Sequence, residues 1–289
     1  MDRDAPHPRQ NRTNDYPAPC AACGEVVAAG AGVLVGLRPK GWAVYHPEHV
    51  REPGPPPRHD HPGWHRRGLT AFDLAATGHR HSVDRILAVS VRRADGTARD
   101  WLVDPGPGPL AVDPGKRHGI TVERARAEGV PAAPALDELA ELLAGSLAAG
   151  EPLVVWYAPY VLTMLEAELA RHGLRPLGAR VPYGLAPVCD PLVLDRHADP
   201  YRSGGRALET VTAWYGVPHE RPGDAASDAA ATLALAQSLG ARYPALARLS
   251  PPALHNEQII WNAAAHGRHE PEPWPVAPVE PLPWQAHGT

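Results

Sequence analysis

One phenylalanine in 289 residues leaves the apolar interior to Leu, Val, Ala and Trp. The hydrophobic fraction is 44%, which still supports a real core. No apolar run approaches the ~20 residues that a membrane-spanning helix needs. The opening stretch, Met1 to Tyr16, is polar and rich in Arg, Asp and Pro, and it has no apolar signal core. Three cysteines are too few and too scattered for a disulfide framework. A positive excess is lacking as well, since the formal net charge is −4. Any contact with nucleic acid must therefore come from a local basic patch and not from a global field. Together these absences predict a cytoplasmic protein with no membrane partner.

Proline and glycine are abundant, at 35 and 27 residues, and they gather at the ends and in linkers. That distribution predicts ordered middles and loose margins. Residues 1–18 read as a disordered leader and 19–50 as a compact module. Residues 51–65 read as a stiff Pro-rich linker, 66–266 as a folded α/β domain, and 267–289 as an extended Pro-rich tail.

Within 66–266 the pattern alternates between strands and helices. Gly68–Leu74 and Arg85–Arg92 read as strands, and Asp95-Gly96 signals a hairpin that returns along Trp101–Val103. Thr121 is placed to cap a short helix. Ala135–Ala149 carries Leu136, Leu139, Leu142, Leu143 and Leu147 on one helical face. Pro152–Tyr157 reads as a strand, followed by a helix over Ala158–His172 that Gly173 stops. Leu185–Asp190 is a last strand, and Ala207–Tyr215, Asp224–Leu239 and Leu254–Ala265 are helices. A meander followed by strand–helix alternation predicts a mixed sheet flanked by helices.

Several short motifs occur in order along this domain. They are Phe72-Asp73-Leu74-Ala75-Ala76-Thr77-Gly78, Asp84-Arg85-Ile86, His118-Gly119-Ile120-Thr121 and Tyr157-Ala158-Pro159-Tyr160-Val161. Asp190-Pro191-Leu192-Val193-Leu194-Asp195-Arg196 and Gly223-Asp224-Ala225-Ala226-Ser227-Asp228-Ala229 follow. Over residues 64–262 this series resembles the DEDDh-type, DnaQ-like 3′–5′ exonucleases, in an actinobacterial style. The resemblance implies a ribonuclease H-like mixed five-stranded sheet. It also implies a site that holds Mg²⁺ or Mn²⁺ and a 3′-terminal nucleotide. Family members carry Asp-x-Glu-Thr-Thr-Gly, Asn-Ala-Pro-Phe-Asp and His-Asp-Ala-x-x-Asp-Ala at the three main motifs.

Two-metal phosphodiester cleavage needs carboxylates to clamp ions about 3.5–4 Å apart and a base for the attacking water. Here only Asp73 and Asp228 remain of the five family positions. Ala75 stands for the Glu, Val161 for the second-motif Asp, and Gly223 for the His. Asp224 is not expected to compensate. His219, four residues before Gly223, could swing in from a loop, but its register is wrong for a base. Glu166, five residues past Val161, is about 140° round the helix from it. Loss of a base alone costs on the order of 10²–10⁴ in rate. Asp73 and Asp228 are then either inherited carboxylates without a present role or the ligands of one weakly held Mg²⁺. Thr77, Gly78 and His118 match positions that hold the terminal nucleotide in the family. Lys116 and Arg117 stand beside His118, either to meet phosphate or as solvated loop charges.

Cys20-x2-Cys23 and His46-x2-His49 supply four ligands of the types zinc prefers, 22 residues apart. Glycines punctuate the intervening segment, which predicts a zinc-ribbon-like module. The alternative is a module without metal that is partly disordered. Cys189, apart from these, reads as a buried thiol. Three functions remain open on the sequence. One is a catalytically impaired exonuclease-fold protein that binds single-stranded nucleic-acid ends or a protein partner. Another is a slow metal-dependent exonuclease using Asp73 and Asp228. The third is an interaction scaffold with a vestigial pocket.

Overall fold

The computed structural model describes residues 12–36, 42–49, 54–113, 117–200, 202, 204–265 and 273–276. The chain forms two compact units, residues 1–55 and 56–289.

The first unit contains the short strands β1 (Arg12–Thr13), β2 (Ala18–Pro19), β3 (Val26–Val27), β4 (Val33–Gly36) and β5 (Trp42–Tyr45). β1, β4 and β5 pair antiparallel in that order, and β2 pairs with β3. Arg12–Thr13 falls inside the stretch expected to be a disordered leader, yet it pairs with Leu34 and Val33. Buried Asn14 explains this order. Its Oδ1 accepts from Gly32 N at 2.8 Å, and its Nδ2 donates to Ala28 O and Tyr16 O at 2.9 Å. Apolar burial is thin: Cys20 and Val27 are the fully buried apolar residues described here.

The second unit is built on a mixed sheet. Its strands are β6 (Thr70–Ala76), β7 (Ile86–Arg93), β8 (Ala98–Asp104), β9 (Val130–Pro131), β10 (Leu153–Val154) and β11 (Val188–Cys189). The order is β11-β10-β6-β7-β8-β9, with β6–β7–β8 antiparallel and the other pairings parallel. Among the described residues the sheet thus has six strands and not five. The extra strand, β9, is two residues long and pairs Val103–Asp104 just before a helix begins. Nothing so short produces a period in the sequence.

The helices are α1 (Val122–Glu128), α2 (Ala132–Ala148), α3 (Ala158–Arg171), α4 (Pro191–Ala198), α5 (Leu208–Tyr215), α6 (Ala225–Arg242), α7 (Pro244–Ala247) and α8 (Pro251–Ala265). Thr121 caps α1 by accepting from Arg124 N at 3.1 Å. α2 starts three residues before the expected Ala135. Pro134 then sits in the first turn, where a missing N–H costs nothing. The expected strand Leu185–Asp190 narrows to Val188–Cys189. Asp190 turns the chain into α4 by accepting from Leu192 N, with Pro191 at the first helical position. The sequence carried both signals of that helix start.

Side chains alternate across β6. Phe72, Leu74 and Ala76 face a core made with α2 and α3. Ala71 faces a second core with α4, α5 and α6. Burying each large apolar side chain contributes about 1.5–3 kcal/mol, so two such clusters support the sheet on both faces. The stretch expected as linker, 51–65, ends inside this unit. Trp64 is buried and donates from Nε1 to Leu246 O at 3.0 Å. By the same alternation Asp73 and Ala75 point to the α6 side. That geometry brings Asp73 toward Asp228 on α6.

Candidate functional site

A cavity of about 550 Å³ opens at the C-terminal end of β6. Asp73, Ala75, Val161, Gly223 and Asp228 all line it, so the fold assembles the five expected positions in one place. Three of them present no ligand. Val161 and Ala75 are buried apolar side chains. Gly223 has φ +95°, and a Cβ there would meet Arg117 Cβ at 3.0 Å. A side chain at 223 therefore faces both strained backbone and a crowded neighbour.

His219 enters the cavity from a loop, the alternative to what its register suggests. The loop from Gly216, itself left-handed at φ 63°, carries it back to α6. His219 Nε2 lies 2.6 Å from Asp228 Oδ1. Its Nδ1 lies 3.5 Å from Thr212 Oγ1, whose own hydrogen points to Leu208 O at 2.9 Å. Gly223 N donates to both oxygens of Asp228 at 3.1 Å. Burial pushes the Asp228 carboxyl upward, and the His219 ring and the Gly223 N–H pull it back. This carboxylate thus meets two protein groups, the His219 ring and the Gly223 N–H.

Glu209, from α5, also lines the cavity, and sequence reading missed it. It is paired by both guanidinium nitrogens of Arg117. The pair lowers the Glu209 carboxyl and raises Arg117. His118 lines the cavity beside Arg117. Its Nδ1 accepts from Ile120 N at 3.1 Å, so Nε2 donates to Ala76 O at 3.2 Å. Lys116 lies outside the described residues.

Thr77 and Gly78 do not line the cavity. Thr77 is buried and donates from Oγ1 to Asp84 Oδ1 at 3.0 Å, and it accepts from Arg85 N at 3.0 Å. A Cβ on Gly78 would meet the Asp84 carboxylate at 2.4 Å. Asp84 thus fastens this loop from within. Tyr160 reaches across to donate from its hydroxyl to Gly78 O at 3.0 Å. Burial, with the Asp73 and Asp84 charges, pushes the Tyr160 phenol up and keeps it a donor.

The opposite wall is aromatic. Trp156, Tyr157, Tyr160 and His79 line it. The Tyr157 and Tyr160 rings stack with centroids 6.4 Å apart at 19°, and His79 tilts on Tyr160 at 5.4 Å. Arg196, from α4, also lines the cavity and has no ion-pair partner among the described residues. Arg206 lines it too, but is tied to buried Asp195. The other candidates stand aside. Glu166 accepts from Leu177 N at 3.1 Å, and Asp224 caps α6 by accepting from Ser227 N at 3.0 Å. Buried Asp190 accepts from Tyr157 N, Ala158 N and Leu192 N, joining the first turns of α3 and α4. Burial outweighs these donors and pushes its carboxyl up to about 6. Burial, with Asp190 beside it, also pushes the Cys189 thiol up.

In the first unit the ligand atoms of Cys20, Cys23, His46 and His49 all lie within 4.8 Å of one another. Cys20 Sγ is 3.5 Å from His49 Nδ1, and Cys23 Sγ is 3.6 Å from His46 Nδ1. Zn–S near 2.3 Å and Zn–N near 2.0–2.1 Å at a tetrahedral angle give an S···N edge of about 3.5 Å. The cluster therefore fits a tetrahedral zinc. Burial opposes ionisation of Cys20. Hydrogen bonds from the His46 backbone, the His49 ring and the Ala22 and Cys23 backbone bring its thiol down to about 5.

No family model and no curated protein matches the sequence. Solved structures do. E. coli exonuclease I in complex with a dT13 oligonucleotide superposes with a TM-score of 0.53 at 20% identity, over 63% of this chain and 42% of that one. The zinc-ion-bound form of the E. coli exonuclease I–ssDNA complex gives 0.52 at 21%, over 61% and 41%. A moderately thermophilic exonuclease I from Methylocaldum szegediense gives 0.51 at 20%, over 68% and 43%. The chain spans less than half the length of these exonucleases. Among the described residues, no helix is long and apolar enough to cross a membrane. The mixed sheet, its flanking helices and these superpositions together give the second unit the DnaQ-like, ribonuclease H-type fold of exonuclease I.

Proposed function

We propose that this protein binds single-stranded nucleic-acid ends in the cavity without efficient hydrolysis and without needing divalent metal. One observation carries the reading. Asp228 is engaged by His219 and the Gly223 N–H, and Ala75 and Val161 put methyl groups where two more carboxylates would stand. A pair of hard cations needs several carboxylates around it. Glu209 does not make up the deficit, because Arg117 already occupies it. The residues present do not fit a two-metal centre, and no hydrolytic step is assigned to them.

What remains suits binding. Aromatic faces take unpaired bases with little sequence preference. Arg196 supplies a cationic group for backbone phosphate. Two E. coli exonuclease I structures with this fold are complexes with single-stranded DNA.

The test uses fluorescence anisotropy with labelled single-stranded DNA and RNA, in EDTA and in Mg²⁺ or Mn²⁺. Binding is expected to persist in EDTA and to weaken steeply with salt. Asp73→Asn is expected to raise affinity a few-fold, because it removes a like charge beside phosphate. Metal-dependent cleavage that Asp73→Asn abolishes would instead establish a slow exonuclease. Neither binding nor cleavage would leave an interaction scaffold.

We also propose that Cys20, Cys23, His46 and His49 hold a structural zinc. A unit with so little buried apolar area needs the metal to fold. Metal analysis of untagged protein is expected to give one equivalent per chain, lost in Cys20→Ser.

A further inference from the structure

Among the described residues Tyr157 is the one non-glycine with positive φ, at +55°. L residues other than Gly, Asn and Asp avoid this region because Cβ crowds the following carbonyl oxygen. Tyr157 is also 39% exposed, so part of its ring is open to a ligand. The side chain makes no capping bond at the start of α3. Such strain persists where the surroundings fix it and concentrates at ligand sites.

The surroundings here do fix it. Tyr157 N donates to Asp190 Oδ1 at 3.2 Å, and Ala158 N donates to Oδ2 at 2.8 Å. The left-handed turn lets the Tyr157 ring lie nearly parallel to Tyr160, whose hydroxyl is anchored to Gly78 O. Both rings line the cavity, whose volume of about 550 Å³ suits a ligand of nucleotide size.

We propose that Tyr157 is a base-stacking residue: its strained backbone holds the ring at the cavity wall to take the face of an unpaired nucleobase. This rests on the single-strand-binding reading and names the group that recognises the base. Phosphate contacts alone would not need an aromatic ring in that place, whereas every nucleobase offers a flat face to one.

The full chain would be titrated with single-stranded DNA carrying 2-aminopurine at its 3′ end, without metal. Stacking is expected to quench the fluorophore. Tyr157→Asn and Tyr157→Gly are expected to weaken binding about tenfold and to remove the quench. Tyr157→Phe, which keeps the ring, is expected to retain both. Relief of the left-handed strain is expected to leave Tyr157→Gly as stable as the unaltered protein or to raise its melting temperature by about 2–4 °C. Function and stability then move in opposite directions, which a purely structural residue does not produce. Unaltered affinity and quench in the Gly and Asn variants would overturn this inference and leave strand binding in place. Failure of the unaltered protein to bind any single strand would overturn both.

Discussion

The two units offer a metal ion opposite surroundings. The small one brings two thiols and two imidazoles together at tetrahedral spacing. The cavity of the large one is lined by Asp73 and Asp228, with the apolar Ala75 and Val161 among its other lining residues. Core size differs between them as well. Around Cys20 and Val27 there is little apolar area, so the zinc proposed there would supply folding free energy. The large unit has two apolar clusters on its sheet, which support it without any ion.

The sharpest way to break this contrast is to remove zinc. Structural zinc contributes about 10–16 kcal/mol at neutral pH in small modules. Chelation or Cys20→Ser is expected to expose residues 12–49 to rapid hydrogen exchange while the second unit keeps its protection and its melting temperature. Equal loss in both units would show that the metal supports them jointly.

The second unit should answer to protons instead. Burial holds the Asp190 carboxyl at about 6, above its ordinary 3.8. The folded state therefore retains a proton that the unfolded state releases. The resulting stabilisation is full below about pH 4 and is lost as pH rises through about 6, an effect of about 3 kcal/mol by linkage. Denaturant unfolding from pH 4 to 7 is expected to show this loss relative to Asp190→Asn, whose profile should be flatter. Matching profiles would remove Asp190 as its source.

Next in size is a repaired metal site. Ala75→Glu with Val161→Asp is expected to give a Mg²⁺-dependent stabilisation of about 2.7 kcal/mol at a hundredfold excess over Kd. The unaltered chain should show none in the same thermal-shift titration, and a clear shift there would contradict the assigned loss of ligands. Adding Gly223→His is the smallest change. It is expected to cost about 1–3 kcal/mol in stability because of the backbone at that position, and to add no cleavage.

Much of this was legible from residues alone. The Leu stripe of α2, the Thr121 cap and the Asp95-Gly96 hairpin lie where their local chemistry puts them. So does the assembly of Asp73, Ala75, Val161, Gly223 and Asp228, because strand alternation and motif order determine it. His219 was not legible. A loop carries it, and the path of a loop depends on two glycine dihedrals that leave no period. Glu209 was missed for a related reason, since its partner Arg117 is 92 residues away. The sixth strand was hidden by its brevity, and the strain at Tyr157 by the fact that φ has no one-letter code.

The backbone at Gly223 makes a side chain at that position hard to introduce. Any other residue would have to adopt a left-handed conformation and press its Cβ against Arg117. The path of the loop thus selects its own residue: sterics keep glycine here, whatever the cavity holds.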